Sequence, residues 1–278
     1  MNIFERYKIK YQKDGTLRII SILLSKFNYT TKFTSFIEKK KFYLIKNILR
    51  KSKNVVLHGL YKSVKLSNQI SWNKNLNDLA PKLLGCYEQQ VQDEIIYLKK
   101  KYNLKYFIQF GCSEGFHVLG LLKNNIFKKA FVFEKDIESR KILTTNIKMN
   151  NIHNITVFEN ASFNPISTFL RKNANKTLFL IDIEGEEFNI LNKKNILNFK
   201  GSFLIIENHE NFVKKKKIKK NFFKLINDNF TVRYLENSSR NPHSYKCLSH
   251  LNDDEKFLLM SENRPYNMNW LVLLPNNR

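Results

Sequence analysis

Cysteine is scarce. The 278-residue chain has three, and Cys86, Cys112 and Cys247 are too scattered to form a CxxC pair or a zinc-type ligand spacing. Neither a disulfide framework nor a sequence-local metal site is expected, and a reduced, cytoplasmic protein is the plain reading. Long apolar runs are missing as well. The best candidate, Leu17 to Leu24, contains Arg18, is followed by Lys26, and is far too short for a membrane span. It also lacks the small-residue cleavage site of a signal peptide. Acidic residues are few: 24 against 48 Lys and Arg, for a net charge of +24. An isoelectric point near 9.8 raises the prospect of an anionic partner such as RNA, an anionic lipid or an acidic glycan. The lysines are, however, spread through the whole chain, which weakens that inference. With 42% hydrophobic residues, the chain can bury the core of one sizeable α/β domain plus an extension, or of two small domains.

What is present is organised around Lys105 to Gly120, KYFIQFGCSEGFHVLG. Tyr106 to Phe110 is a short aromatic and apolar run that predicts a buried strand. Gly111 and Gly115 flank Cys-Ser-Glu, and apolar residues resume from Phe116 at helical spacing. Strand, glycine turn and helix together offer free backbone N–H groups to a polar ligand, and glycine lets that ligand come close to the main chain. About 20 residues further on, a second apolar run ends in Glu134, where a nucleotide-type cofactor's ribose hydroxyls are held. The two glycines lie four apart rather than in a GxGxxG pattern, which disfavours a nicotinamide cofactor and suits S-adenosylmethionine. An ordinary strand-to-helix turn would look the same.

Taken in order, residues 1–53 predict a basic helical extension, with apolar positions at Leu17, Ile20, Leu24 and Phe27 and again at Phe42, Ile45 and Leu49. Residues 54–278 predict the main domain. Asn54 to Trp72 suggests a small hairpin outside the core, and Leu83 to Leu98 a helix with Gly85, Tyr87 and Glu88 at its start. Strands are expected at 106–110, 130–134, 154–158, 178–182, 202–207, 230–235 and 270–274, the last antiparallel. Helices are expected at 115–125, 137–150, 165–172, 186–195 and 214–227. The alternation predicts a doubly wound, mostly parallel, seven-stranded Rossmann-like sheet. The lysine run Lys214 to Lys220 reads as a solvated helix face.

Ligands of such sheets sit beyond the carboxyl ends of the strands. There the third strand offers Asn160, whose amide suits an adenine edge, and the fourth offers Asp182 and Glu184. The fifth offers Glu207, Asn208 and His209. If the fourth and fifth strands are neighbours, Asp182, Glu184, Glu207 and His209 converge as a general base or a hard-cation site. Glu186 and Glu187 read as compensating a helix dipole.

FGCSEGFHVLGLL, FEKD with its Asn-rich helix, LIDIEGEE and LIIENHE, in this order, resemble a class I S-adenosylmethionine-dependent methyltransferase of the FkbM-like group. LIDIEGEE carries most of the resemblance, which spans about residues 54 to 275. It implies that Gly111 and Gly115, with Ser113 between them, cradle the cofactor's methionine part and that Glu134 takes its ribose. It places Asp182 at the catalytic end of the fourth strand. The expected base is His209 or Asp182, with Glu207 at the end of the fifth strand. Gln109 stands where such enzymes usually carry an acid, so it is expected to hydrogen-bond near the cofactor's amino group without neutralising it. Asp182, Glu207 and Asn208 also resemble, by strand position, the magnesium site of catechol-type O-methyltransferases, which leaves Mg2+ assistance open. No (D/N)PP(Y/F) follows the fourth strand, against methylation of base amino groups, and no Pro-Cys is there to attack a pyrimidine. The resemblance implies O-methylation of a sugar, glycan or small-molecule hydroxyl. The alternatives are an RNA methyltransferase and a non-catalytic cofactor-binding module. The stretch 237–265, with His243, Tyr245 and Arg264, is placed to shape the acceptor pocket.

Overall fold

The computed structural model describes residues 36–67, 78–262, 264 and 268–276. The expected helix over Leu17 to Phe27 and the end of the hairpin at 68–72 lie outside the described residues.

Seven short runs of apolar and β-branched residues pair into one sheet. They are β1 (Tyr106–Phe110), β2 (Lys129–Phe133), β3 (Ile155–Phe158), β4 (Thr177–Ile181), β5 (Phe203–Glu207), β6 (Phe230–Leu235) and β7 (Trp270–Pro275). Their order is β3-β2-β1-β4-β5-β7-β6. Five run parallel, while β7 is antiparallel to both β5 and β6. This is the doubly wound Rossmann-like sheet expected from the sequence. The order reverses between β1 and β4, and at such a switch point the two adjacent loops diverge to opposite faces and leave a crevice.

Strand periodicity divides the core in two. Phe107, Leu178, Leu180, Phe203, Ile205, Trp270 and Val272 face one layer. Ile108, Phe110, Phe179, Ile181, Leu204, Ile206, Leu271 and Leu273 face the other. The first layer is covered by α1 (Phe36–Ser52), α2 (Leu79–Leu84), α3 (Gln89–Tyr102), α4 (Phe116–Lys123) and α9 (Asp253–Met260). The second is covered by α6 (Ser167–Asn173), α7 (Glu187–Ile190) and α8 (Lys216–Asn229). Between β2 and β3 runs α5 (Ile137–Met149), capped by the Asp136 side chain, which accepts from Ser139 N. No described helix is long and apolar enough to cross a membrane.

Several sequence expectations are corrected. The helix expected over 83–98 is two helices, because Gly85 closes α2 with φ of 83° and its backbone is pressed against His58. Among the described residues, the segment from Asn54 forms one isolated bridge, Val55 with Lys65. It is core rather than a satellite, since Val56, Tyr61, Val64 and Leu66 are buried. In α1 Leu44, Ile45 and Ile48 are buried, as are Lys41 and Ser52, while Phe42 is exposed. The helix expected over 186–195 is the single turn of α7. Sequence reading missed α9, although Asn252 and Glu255 form a capping box at its start. The lysines of 214–220 are exposed or half-buried at the start of α8, as a solvated face requires.

Candidate functional site

Adjacent strands bring the acidic residues together. Ile181 pairs with Ile206, so the residues that follow, Asp182 and Glu207, lie side by side at the carboxyl ends of β4 and β5. Both keep the parity of Leu180 and Ile205 and project toward the first layer. His209 follows two residues later, in the turn leading to Glu210–Phe212.

Glu187 sets the orientation of that histidine. Its Oε1 lies 3.0 Å from His209 Nδ1 and accepts His209 N at 3.2 Å. Its Oε2 accepts Gly185 N at 2.9 Å. The other ring nitrogen, Nε2, is then turned toward Glu207 Oε2 at 3.5 Å, Glu184 Oε2 at 3.6 Å and Asp182 Oδ1 at 3.8 Å. Asp182 Oδ1 is buried and has no hydrogen-bond partner among the described residues. Burial, followed by the neighbouring Glu207, pushes the Asp182 carboxyl well above the usual carboxylate range. Burial also lifts Glu184, against the pull of His209. For His209 burial acts downward, but the hydrogen bond to Glu187 and the charge of Glu207 outweigh it and raise its pKa.

Behind Glu207 the polar network continues inward. Arg264 pairs with Glu207, Glu88 and Glu262 at once. Glu88 Oε2 lies 2.8 Å from His117 Nε2, whose Nδ1 is 3.1 Å from the Tyr61 hydroxyl. Glu262 also accepts Glu88 N at 2.7 Å and pairs with Arg240. Burial would raise Glu88, but His117 and Arg264 hold its carboxyl down to about 2. Six carboxylates (Glu88, Asp182, Glu184, Glu187, Glu207, Glu262) thus face two guanidiniums and two imidazoles. The local balance is acidic inside a chain of net charge +24.

The glycine turn lies across the switch point from this cluster. Gly111, Ser113 and Gly115 all have positive φ, at 74°, 47° and 91°. Ser113 N donates to Glu134 Oε2 at 2.7 Å, and Asp136 N to Glu134 Oε1 at 2.9 Å. Glu134 thereby ties the turn to the end of β2. Gly111 is required by protein packing, whatever a ligand needs, whereas at Gly115 a side chain would meet the positive φ and the movable end of Leu143. A Cβ on Gly111 would sit 1.7 Å from the Asp182 carbonyl oxygen, and one on Gly115 2.4 Å from Leu143 Cδ1. Gln109 donates to Gly111 O at 3.2 Å, and its buried Oε1 has no partner among the described residues. Asn160 is exposed in the turn after β3.

Asn208 Nδ2 donates to Asn269 Oδ1 at 3.0 Å and fastens β5 to the approach of β7, while its buried Oδ1 has no partner among the described residues. His209 brings a ring nitrogen to within 4.8 Å of ligand atoms of Asp182 and Glu207. One assignment changes. Glu187, read from sequence as compensating a helix dipole, is the buried partner of His209. Its spacing of 22 residues from His209 carries no local signal.

On the other side of the turn, Lys82 of α2 pairs with Glu114, which also accepts from Ser113 Oγ at 2.7 Å. Burial alone would raise the Glu114 carboxyl, but Lys82 and Ser113 bring it from 4.5 down to about 2. A folded pKa below the unfolded one stabilises above the unfolded value, and that stabilisation is lost as pH falls toward the folded value. It corresponds to about 3 kcal/mol at most. Denaturant titrations at pH 5 and pH 3 should therefore show Glu114→Gln losing less stability than the wild type over that window. Parallel losses would contradict the pairing.

No known protein family's sequence profile matches the chain, and no curated protein sequence matches it. Solved structures do resemble it. An O-methyltransferase from Bacillus cereus in complex with SAH is 10% identical, with 92% of this chain and 96% of that one covered, at a TM-score of 0.43. An O-methyltransferase of tomaymycin synthesis from Streptomyces achromogenes is 8% identical, with coverage of 92% and 96% and a TM-score of 0.45. An rRNA methylase from Streptococcus thermophilus is 11% identical, with coverage of 68% and 97% and a TM-score of 0.45. None of the three reaches 0.5.

Proposed function

We propose that the protein is an S-adenosylmethionine-dependent O-methyltransferase, FkbM-like in its motifs, that acts on a hydroxyl of a sugar, glycan or other small molecule. One observation carries this reading. The turn bound to Glu134 and the cluster of Asp182, Glu207 and His209 lie on opposite sides of one switch point, a cofactor half and an acceptor half. Residues Gly111 to Gly115 and Gln109 are suited to the methionine end of the cofactor, and Glu134 to its ribose. Each Glu134 oxygen accepts one backbone N–H and retains a lone pair for a hydroxyl. Bound there, S-adenosylmethionine supplies an electrophilic methyl group on a sulfonium.

The chain's own work is alignment and proton removal. The acceptor oxygen must approach the methyl carbon in line, so holding it there supplies much of the acceleration. The oxygen must also lose its proton, and the carboxylates and imidazole of Asp182, Glu207 and His209 are the groups beside it. The acidic balance of this half supports a neutral, polyhydroxylated acceptor over RNA, whose phosphates it would repel. The positive charge of the rest of the chain is what keeps the RNA reading as the second one.

Calorimetric titration of S-adenosylmethionine tests the cofactor half. Wild type should bind, Glu134→Ala should bind about 10- to 100-fold more weakly, and Asp182→Asn should keep cofactor affinity while losing methyl transfer. A wild-type protein that does not bind the cofactor would sink the reading. RNA binding that falls steeply with salt, together with transfer of the methyl group to RNA, would replace it with the second.

A further inference from the structure

The acceptor half has the geometry of a site built around an ion. The His209 side chain is 2% exposed, and its Nδ1 is committed to Glu187, itself buried at 1%. A carboxylate on Nδ1 fixes the ring and directs the Nε2 lone pair outward, as in carboxylate–histidine–metal arrangements. Nε2 makes no hydrogen bond to any described residue. Instead three carboxylate oxygens surround it at 3.5, 3.6 and 3.8 Å. These separations are long for hydrogen bonds. They are close to the ligand–ligand edge of about 3.4 Å expected around an ion with tetrahedral bonds of about 2.1 Å to nitrogen and oxygen. One ligand atom each from Asp182, Glu207 and His209 lie within 4.8 Å of one another. Asp182 Oδ1 is buried and unpartnered among the described residues. Glu207 gives its Oε1 to Arg264 and keeps Oε2 for the cluster.

We propose that Asp182, Glu207 and His209 bind a divalent first-row transition-metal ion of the zinc or manganese class, with Glu187 orienting His209. An imidazole donor is the reason for that class. Magnesium favours oxygen ligands and keeps its waters, whereas zinc and manganese accept mixed nitrogen and oxygen sets. Glu184 stands at the open edge, with a side chain 48% exposed, where an acceptor would enter. The site is the acceptor half of the proposed methyltransferase, and there the ion would make a coordinated hydroxyl more acidic. Binding of the ion does not depend on the cofactor, so the two readings fail separately.

The test uses the full, untagged chain, stripped with a chelator and titrated calorimetrically with ZnCl2, MnCl2 and MgCl2 in the absence of S-adenosylmethionine. One Zn2+ or Mn2+ per chain is expected, at least about tenfold tighter than Mg2+, with a rise in melting temperature. His209→Gln should remove the preference over Mg2+, and Asp182→Asn should weaken every ion, both with an unchanged far-UV spectrum. Should a variant not fold, Glu184→Gln and the perturbation of bound Mn2+ by electron paramagnetic resonance provide a second readout. Absence of saturable Zn2+ and Mn2+ binding, or binding indifferent to these substitutions, overturns the site. Tighter binding of Mg2+ overturns the class of ion. If metal binds and S-adenosylmethionine does not, the methyltransferase reading falls while this site stands.

Discussion

Gly111→Ala is expected to cost about 3 kcal/mol or more of folding stability and to abolish the proposed binding of S-adenosylmethionine, a large effect for the addition of one methyl group. Two physical terms add. Gly111 has a φ of 74°, and a left-handed conformation costs an L residue roughly 1–2 kcal/mol. The methyl would then lie 1.7 Å from the Asp182 carbonyl oxygen. Backbone cannot yield there as a flexible side chain would, because Asp182 N donates to Phe110 O and Gly111 N donates to Phe133 O. Relief of the clash would open β1 from β4 or β2 at the switch point itself. Gly185→Ala is the control. It has φ of 99°, but its nearest neighbour is Phe212 Cβ at 3.9 Å, so it meets only the conformational cost, about 1 kcal/mol. Urea denaturation of the two variants should separate them by about 2 kcal/mol. Equal losses would show that the clash relaxes freely and that the turn is not clamped between strands.

That contrast also explains what was legible in the sequence. Buried parallel strands are near-continuous apolar runs, so YFIQF, AFVF, TLFLI and FLIIE could be placed to within a residue or two, and with them the Rossmann-like order. The convergence of Asp182, Glu207 and His209 was readable because they are the first polar residues after such runs. What could not be read depends on partners remote in sequence. Glu187 meets a histidine 22 positions away, and Glu88 meets Arg264 from 176 away. Neither spacing has a local signature. The break at Gly85 is of the same kind: a glycine inside a helical pattern is tolerated in isolation. Only the passage of His58 O, 2.0 Å from where a Cβ would sit, makes it a helix end. The capping box of Asn252 and Glu255 is the opposite case, a local signal present in the sequence and left unread.

Arg264 is the second residue for which a large effect is expected. The sequence marks it only as part of a stretch expected to shape a pocket, yet it is the shared counter-ion of Glu88, Glu207 and Glu262, whose side chains are 3%, 5% and 5% exposed. Removing one partner of a buried ion pair leaves an uncompensated charge and costs about 3–5 kcal/mol, and here three carboxylates lose the same partner. Arg264→Met, which keeps much of the apolar stem, is therefore expected to destabilise the protein by at least that amount. Arg264→Lys should recover only part, since an ammonium is a point charge and cannot reach three carboxylates with a planar fork. The double variant Arg264→Met with Glu88→Gln discriminates the cause. The side-chain amide that replaces the Glu88 carboxylate would still accept a hydrogen bond from His117, so the change removes one uncompensated charge while preserving the link to Tyr61. The double variant should be more stable than Arg264→Met alone, with a coupling of about 1–3 kcal/mol between the two sites. Strict additivity in denaturant melts would mean that Arg264 acts through packing, and that Glu207 faces the cluster without depending on the guanidinium behind it.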